Sequence, residues 1–276
     1  MFVIIWKEVG FGVVLFLARL MSVEMIDEMS LQKSMDFYRA RFADASGFTF
    51  VFVGSFTPEQ MRPLVEQYIA SLPSAGKKES WRDVGMKRPA GVVERRVEKG
   101  IEPKSHANVI YHGPFEWTQE ERIAIRMLAE ILQNRLRESL REELGGTYSV
   151  SAGASYTRIP RPEYTLSVDI GSDPARNDEL LKAVGAEVAL LREKGPTEQQ
   201  VNDVREAMLR EYETSMRQNG YLMGQISVRY QFGEDMRTVF ALPEYYKKVT
   251  AGTIHEAAKT YLNPATVVTV TLFPEK

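Results

Sequence analysis

The stretch that most constrains this chain runs from Arg135 to Tyr156, RLRESLREELGGTYSVSAGASY, where a helical repeat meets two glycines and an alternating strand begins. Leu136, Leu140 and Leu144 recur at four-residue intervals, so one helical face is apolar while Arg137, Glu138, Arg141 and Glu142 lie largely off it. Gly145 follows the last periodic leucine, where a left-handed residue satisfies the terminal carbonyls without a Cβ clash. The helix is expected to stop there. From Thr147 the period becomes two, with Tyr148, Val150, Ala152, Ala154 and Tyr156 on one face and Thr147, Ser149, Ser151 and Ser155 on the other. A long cationic side chain on the last helical turns is therefore expected near a phenol at the strand start.

The remaining elements follow from the same two periods. Phe2 to Met21 is apolar but interrupted by Lys7, Glu8 and Arg19, and its uncharged part, Val9 to Ala18, is short of the ~20 residues a membrane-spanning helix needs. Lys7 ahead of it suits an export signal, whereas Glu8 and the lack of a small-x-small cleavage site oppose one. Residues 1–21 are read as an apolar N-terminal extension, with any membrane association open. Leu31 to Phe42 reads as a helix, Phe48 to Val53 (FTFVFV) as a buried strand, and Thr57 to Leu72 as a helix opened by a Thr57/Gln60 capping box with Pro58 at its first position. Ser74 to Ala90 is polar and rich in turn formers, a linker.

Strands are predicted at Gly91 to Val97, Ala107 to Tyr111, Glu163 to Ile170 and Ala265 to Phe273, the third as hairpin partner of Thr147 to Tyr156. Thr118 to Glu121 (TQEE) and Thr197 to Gln200 (TEQQ) are capping boxes that start helices. Leu180, Leu181, Val184, Val188 and Leu191 share a helical face that ends at Gly195-Pro196. Further helices are expected at Gly220 to Gly233 and Thr253 to Leu262. This order predicts an α+β layer, with helices packed on one face of a mainly antiparallel sheet.

Composition narrows the chemistry. The 276 residues are 44% hydrophobic and 26% charged, enough apolar content for one large or two modest domains. A formal net charge of −2 supplies no basic field for nucleic acid, which is dropped as a partner. No cysteine is present, so disulfides, thiolate catalysis and cysteine metal sites are excluded. The three histidines, His106, His112 and His255, stand in no chelating pattern. His106 and His112 can share a strand face, but about 20 Å of extended chain separates them. They are read as ordinary surface or strand-end residues.

Arg141 to Tyr148, R-E-E-L-G-G-T-Y after Leu140, resembles the Arg/Tyr substrate-binding element of the insulinase (pitrilysin-type) zinc metallopeptidases. Residues 22–73, with F-Y-x-x-R-F, F-V-F-V-G and L-V-E-x-Y-x-x-x-L-P in succession, resemble the tail of a penultimate domain of that family. Residues 91–276 resemble its terminal domain. The resemblance implies an insulinase/mitochondrial-processing-peptidase-like fold preceded by part of a second such domain. It implies that Arg141 anchors a substrate backbone carbonyl and that Tyr148 hydrogen-bonds the carbonyl or the developing oxyanion. The family's inverted H-x-x-E-H zinc motif is absent here. Zinc is therefore expected in a partner half, peptide as substrate, and no peptidase activity from this chain alone. On the residues by themselves, Arg141 also fits a solvated helix beside Glu138 and Glu142, and Tyr148 a sheet-packing side chain. A non-catalytic peptide-binding or scaffold subunit is the other functional class.

Overall fold

A computed structural model describes residues 21–77, 80–143 and 147–275. In chain order the helices are α1 (Val23–Asp27), α2 (Leu31–Phe42), α3 (Pro58–Tyr68), α4 (Gln119–Leu136), α5 (Asn177–Lys194), α6 (Glu198–Ser215), α7 (Asn219–Phe232), α8 (Leu242–Lys248) and α9 (Ala251–Tyr261). The strands are β1 (Val92–Glu98), β2 (Ser105–Pro114), β3 (Thr147–Thr157), β4 (Glu163–Ser172) and β5 (Val267–Phe273). The chain groups into two compact units, one of residues up to Met86 with Ser215–Met236, the other of Lys87–Thr214 with Arg237–Lys276. Among the described residues no helix is long and apolar enough to cross a membrane. The N-terminal extension, residues 1–20, lies outside the described residues.

The larger unit is built on one five-stranded sheet in the order β1-β5-β2-β4-β3. Every pairing is antiparallel except that of β1 with β5. Alternation sorts its faces: Ala107, Val109 and Tyr111 of β2 are buried, as are Tyr164, Leu166, Val168 and Ile170 of β4. Helices α4, α5 and α9 pack beside one another against the sheet. Helix α4 contributes Ile123, Ile125, Met127, Leu128, Ile131, Leu132 and Leu136 to this core, and α5 contributes Leu180, Val184, Val188 and Leu191. Each such side chain stabilises the fold by roughly 1.5–3 kcal/mol through burial. The predicted layer with helices on one sheet face is what forms.

Local chemistry sets the helix ends. Thr197 and Gln200 make the reciprocal box, at 3.2 and 3.0 Å. At α4 the Thr118 hydroxyl accepts from Glu121 N, but the Glu121 carboxylate turns away and accepts the Tyr261 hydroxyl proton donor instead. Burial, then that carboxylate, push the Tyr261 phenol up. Gly195 ends α5 with φ +71, a conformation that favours glycine.

The smaller unit departs from expectation in one place. Phe48–Val53 is not a buried strand: it belongs to no sheet among the described residues, and Phe48, Phe50 and Phe52 are exposed. The composition is that of a strand, but pairing is not local, and no neighbouring strand lies in this unit among the described residues. Its helices begin as the residues dictate, α3 with the complete Thr57/Gln60 box and Pro58 in its first turn. Asp44, after α2, ties the unit together: its carboxylate accepts from Ser46 N (2.9 Å), Ala75 N (3.1 Å) and Lys77 N (3.0 Å). The Ser46 hydroxyl first, then these backbone donors, hold the Asp44 carboxyl down to about 2.

Candidate functional site

Arg141 and Tyr148 sit at either side of the connection between α4 and β3. Through Leu136 and Leu140 the expected regular amphipathic helix is not what forms. Helix α4 ends at Leu136 and continues as a π-helix over Arg137–Glu143, in which Arg141 lies. The wider turn keeps the apolar anchors, since Leu136 and Leu140 are both fully buried. Arg137 and Glu138 are exposed, as the period implied. The stop expected at Gly145 falls outside the described residues.

Strand β3 then pairs with β4, and its first residues are irregular. Thr147 lies opposite Ser172 and Ser149 opposite Gly171, so Tyr148 is the extra residue of a β-bulge. The expected alternation holds from Val150 to Tyr156, whose partners Ile170, Val168, Leu166 and Tyr164 are the buried row of β4. It does not extend through Tyr148. The shift also moves Thr147 out of the Ser149 row into that of Ser172. A bulge needs one extra residue and no special composition, so alternation could not reveal it.

One positioning group gave no signal in the sequence. Gln133 of α4 donates from Nε2 to the Val150 carbonyl at 3.3 Å and accepts from Ala152 N, so its amide satisfies the outer edge of β3 as a short strand would. Two residues on, and so on the far side of the helix, Arg135 pairs with Glu187 of α5 at 2.8 Å, both mostly buried. The helix that leads into Arg141 and the strand that carries Tyr148 are thus cross-linked two residues past the bulge. A lone glutamine in an amphipathic helix is otherwise indistinguishable from a solvated one.

The histidines serve other purposes. His106 and His112 do share a face of β2, opposite to Ala107, Val109 and Tyr111. His106 Nε2 is 3.4 Å from Asp169 Oδ1, which also accepts from Asn108 Nδ2 at 2.5 Å. His112 is not a surface residue: it is 7% exposed and its Nε2 has no hydrogen-bond partner among the described residues. Burial and then the Arg88 guanidinium lower its pKa, leaving the neutral ring favoured. On α9, His255 Nε2 meets the Arg192 carbonyl at 2.9 Å. Among the described residues no three His, Asp or Glu side chains converge as a metal ion requires. The residues present do not fit a zinc site.

Residues 28–208 match the family described as "Peptidase M16 inactive domain". The Arabidopsis thaliana protein named "Zinc protease PQQL-like" is 24% identical over 242 residues, covering 82% of this chain and 25% of that protein. The crystal structure of the periplasmic protease PqqL from Escherichia coli superposes with a TM-score of 0.80 at 21% identity, over 94% of this chain and 29% of that one. A peptidase M16 inactive domain from Pseudomonas fluorescens gives 0.72 at 17% identity, over 92% and 60%. At these identities the structural likenesses are ones of fold. This chain spans about a quarter of the length of the longer relatives.

Proposed function

This chain belongs to the peptidase M16 family through its inactive domain, and from that premise we propose that it is the substrate-binding half of a zinc metalloendopeptidase whose H-x-x-E-H motif lies in a partner half. Arg141 binds a backbone carbonyl of an extended peptide. Tyr148 donates to the carbonyl oxygen as it gains negative charge, and a donor already aimed at that oxygen lowers the barrier without reorganising. When bound in the partner half, the zinc would supply the activation of water. This chain's part is to bind and orient the substrate and to stabilise charge.

The observation that supports this reading is the pairing of two backbone irregularities around one short connection. A π-helix carries Arg141 and a β-bulge carries Tyr148, and both kinds of irregularity are concentrated where side chains must be aimed. A solvated amphipathic helix joined to an ordinary hairpin needs neither.

The test is reconstitution. The Escherichia coli relative, with the segment that matches this chain removed, is mixed with the full 276-residue chain, and cleavage of a quenched fluorescent peptide is followed. Neither component alone is expected to cleave. In the mixture Tyr148→Phe, which removes one hydroxyl, should lower turnover on the order of 100 to 1,000-fold. Arg141→Lys keeps charge but loses the planar fork and should also be defective. Arg137→Lys, one turn earlier, should be silent. Equal turnover in all three would return Arg141 to the solvated-helix reading. A stable complex that cleaves nothing, with or without substitutions, would favour a non-catalytic binding or scaffold subunit.

A further inference from the structure

We infer that Gln133 is the positioning residue of Tyr148: its side-chain amide fixes the register of β3 and so the backbone setting from which Tyr148 meets a substrate carbonyl. The inference rests on the substrate-binding reading above and adds to it a residue that touches no substrate.

Three observations carry it. First, the start of β3 has little else to fix it. The strand reads TYSVSAGASYT, mostly small side chains on both faces, with Val150 its one branched aliphatic residue. Strands of that composition slip readily in register. The bulge opposite Ser172 and Gly171 disrupts the ladder there as well.

Second, β3 is the outermost strand of the sheet among the described residues, so its outward backbone groups have no strand to bond. Gln133 bonds two of them: Nε2 donates to the Val150 carbonyl at 3.3 Å, and Oε1 accepts from Ala152 N. Outward and inward pairs alternate along an antiparallel strand, so a shift of β3 by one residue would leave the amide facing a pair that bonds to β4 instead. The amide therefore rejects the one-residue slip, the shift that moves every side chain of a strand to the opposite face.

Third, α4 is itself anchored. Leu132 and Leu136, before and after Gln133, are fully buried, and on the far side of the helix Arg135 pairs with Glu187 of α5 at 2.8 Å. The same helix continues into the π-helix that carries Arg141, so one side chain ties together the elements that carry both donors. Losing the amide should loosen Tyr148 without removing either donor.

Turnover of the reconstituted complex and fluorine NMR of the full chain carrying fluorotyrosine test this, the Tyr148 signal being the one lost in Tyr148→Phe. Gln133→Ala should shift or split that signal and lower turnover about 10 to 100-fold with little change in KM, because Arg141 still binds. In a Tyr148→Phe background the same substitution should have almost no further effect. Gln133→Glu keeps the shape. Its carboxylate accepts from Ala152 N but repels the Val150 carbonyl, whereas its protonated form donates to that carbonyl as the amide does. Its turnover relative to the unsubstituted chain should therefore rise as pH falls from about 8 to about 5.5, as the carboxyl takes up its proton. Asn134→Ala, at the exposed neighbouring position, should be silent. An unmoved Tyr148 signal in Gln133→Ala overturns the inference. So does a loss of turnover that is undiminished in the Tyr148→Phe background, one that lies wholly in KM, or a Gln133→Glu ratio that is flat with pH. A defective Tyr148→Phe beside a silent Gln133→Ala overturns the inference and leaves the functional reading standing. A silent Tyr148→Phe sinks the functional reading, and the inference with it.

Discussion

Gly171 and Ser149 face each other across the hairpin so closely that a methyl group on Gly171 would come within 2.8 Å of the Ser149 hydroxyl. This contact lies immediately beside the bulge at Tyr148. Gly171→Ala should cost little, because the serine rotamer can change. Gly171→Val adds a branched side chain that rotation of one hydroxyl cannot accommodate, and should destabilise by about 1–3 kcal/mol in urea titration. A valine variant as stable as the glycine chain would show that the strand start shifts freely.

At the end of α5, Gly195 combines φ +71 with a close neighbour, since an added Cβ would lie 2.9 Å from His255 Cβ. Gly195→Ala is expected to cost about 1–3 kcal/mol from the backbone alone. Adding His255→Ala, which keeps Cβ but removes Cγ, also at 2.9 Å, should recover only the ring's part of the contact. Full recovery in the double variant, measured as a mutant cycle, would mean that the conformation itself carries no cost.

The two units should respond differently to loss of large side chains. Leu132→Ala removes a fully buried side chain from the centre of the helix layer and should cost about 2–5 kcal/mol. Phe50→Ala, on the exposed segment, should stay within about 0.5 kcal/mol. Thermal unfolding of the isolated chain reads both. A large loss from Phe50→Ala would place that ring in a packed core.

His112 predicts a pH dependence. Burial and Arg88 depress its folded pKa below 6.5, so the folded state binds fewer protons there than the unfolded chain. Its contribution is fully present above the unfolded pKa and is lost as pH falls through the depressed folded value. The Tm of the unsubstituted chain should therefore drop from pH 7.5 to 5 more steeply than that of His112→Gln. Parallel profiles would remove His112 from the acid response.

Trypsin should find the polar stretch between the two units first. Between Leu72 and Gly91 the described residues form neither helix nor strand, and Arg82 and Lys87 offer cleavage sites, Arg88 being followed by Pro89. Early cleavage within Ser74 to Ala90, with Arg135–Tyr156 intact, is the expected pattern by mass spectrometry. Faster cutting at Arg137 or Arg141 would reverse the order of stability.

Short-range chemistry carried most of what could be read from residues alone. Leu136 and Leu140 are buried because a four-residue apolar repeat has one inward face, and Thr57 and Thr197 cap helices because their partners lie three residues away. What escaped depends on distant chain. Glu121 has the position of a capping-box residue, but Tyr261, far along the sequence, captures it. Phe48–Val53 has the composition of a strand and lacks a neighbouring strand among the described residues. Tyr148 and Arg141 were located by the glycine pair between them, yet the π-turn and the bulge shift their backbone settings by single residues. Helix α8 was missed because its seven residues are too few for a period to declare itself.

The order β1-β5-β2-β4-β3 also has a temporal consequence. Strand β5 lies between β1 and β2, so during synthesis β1 emerges more than 160 residues before the strand that will flank it on that side. At about 5–20 residues per second that gap lasts on the order of ten to thirty seconds. Throughout it, the hairpin of β3 and β4 can join β2, but β1 has no neighbour and the sheet cannot close. The larger unit therefore completes itself only after Val267–Phe273 has left the ribosome, and a nascent chain stalled short of that point would hold two open sheet edges where the finished one has none between them.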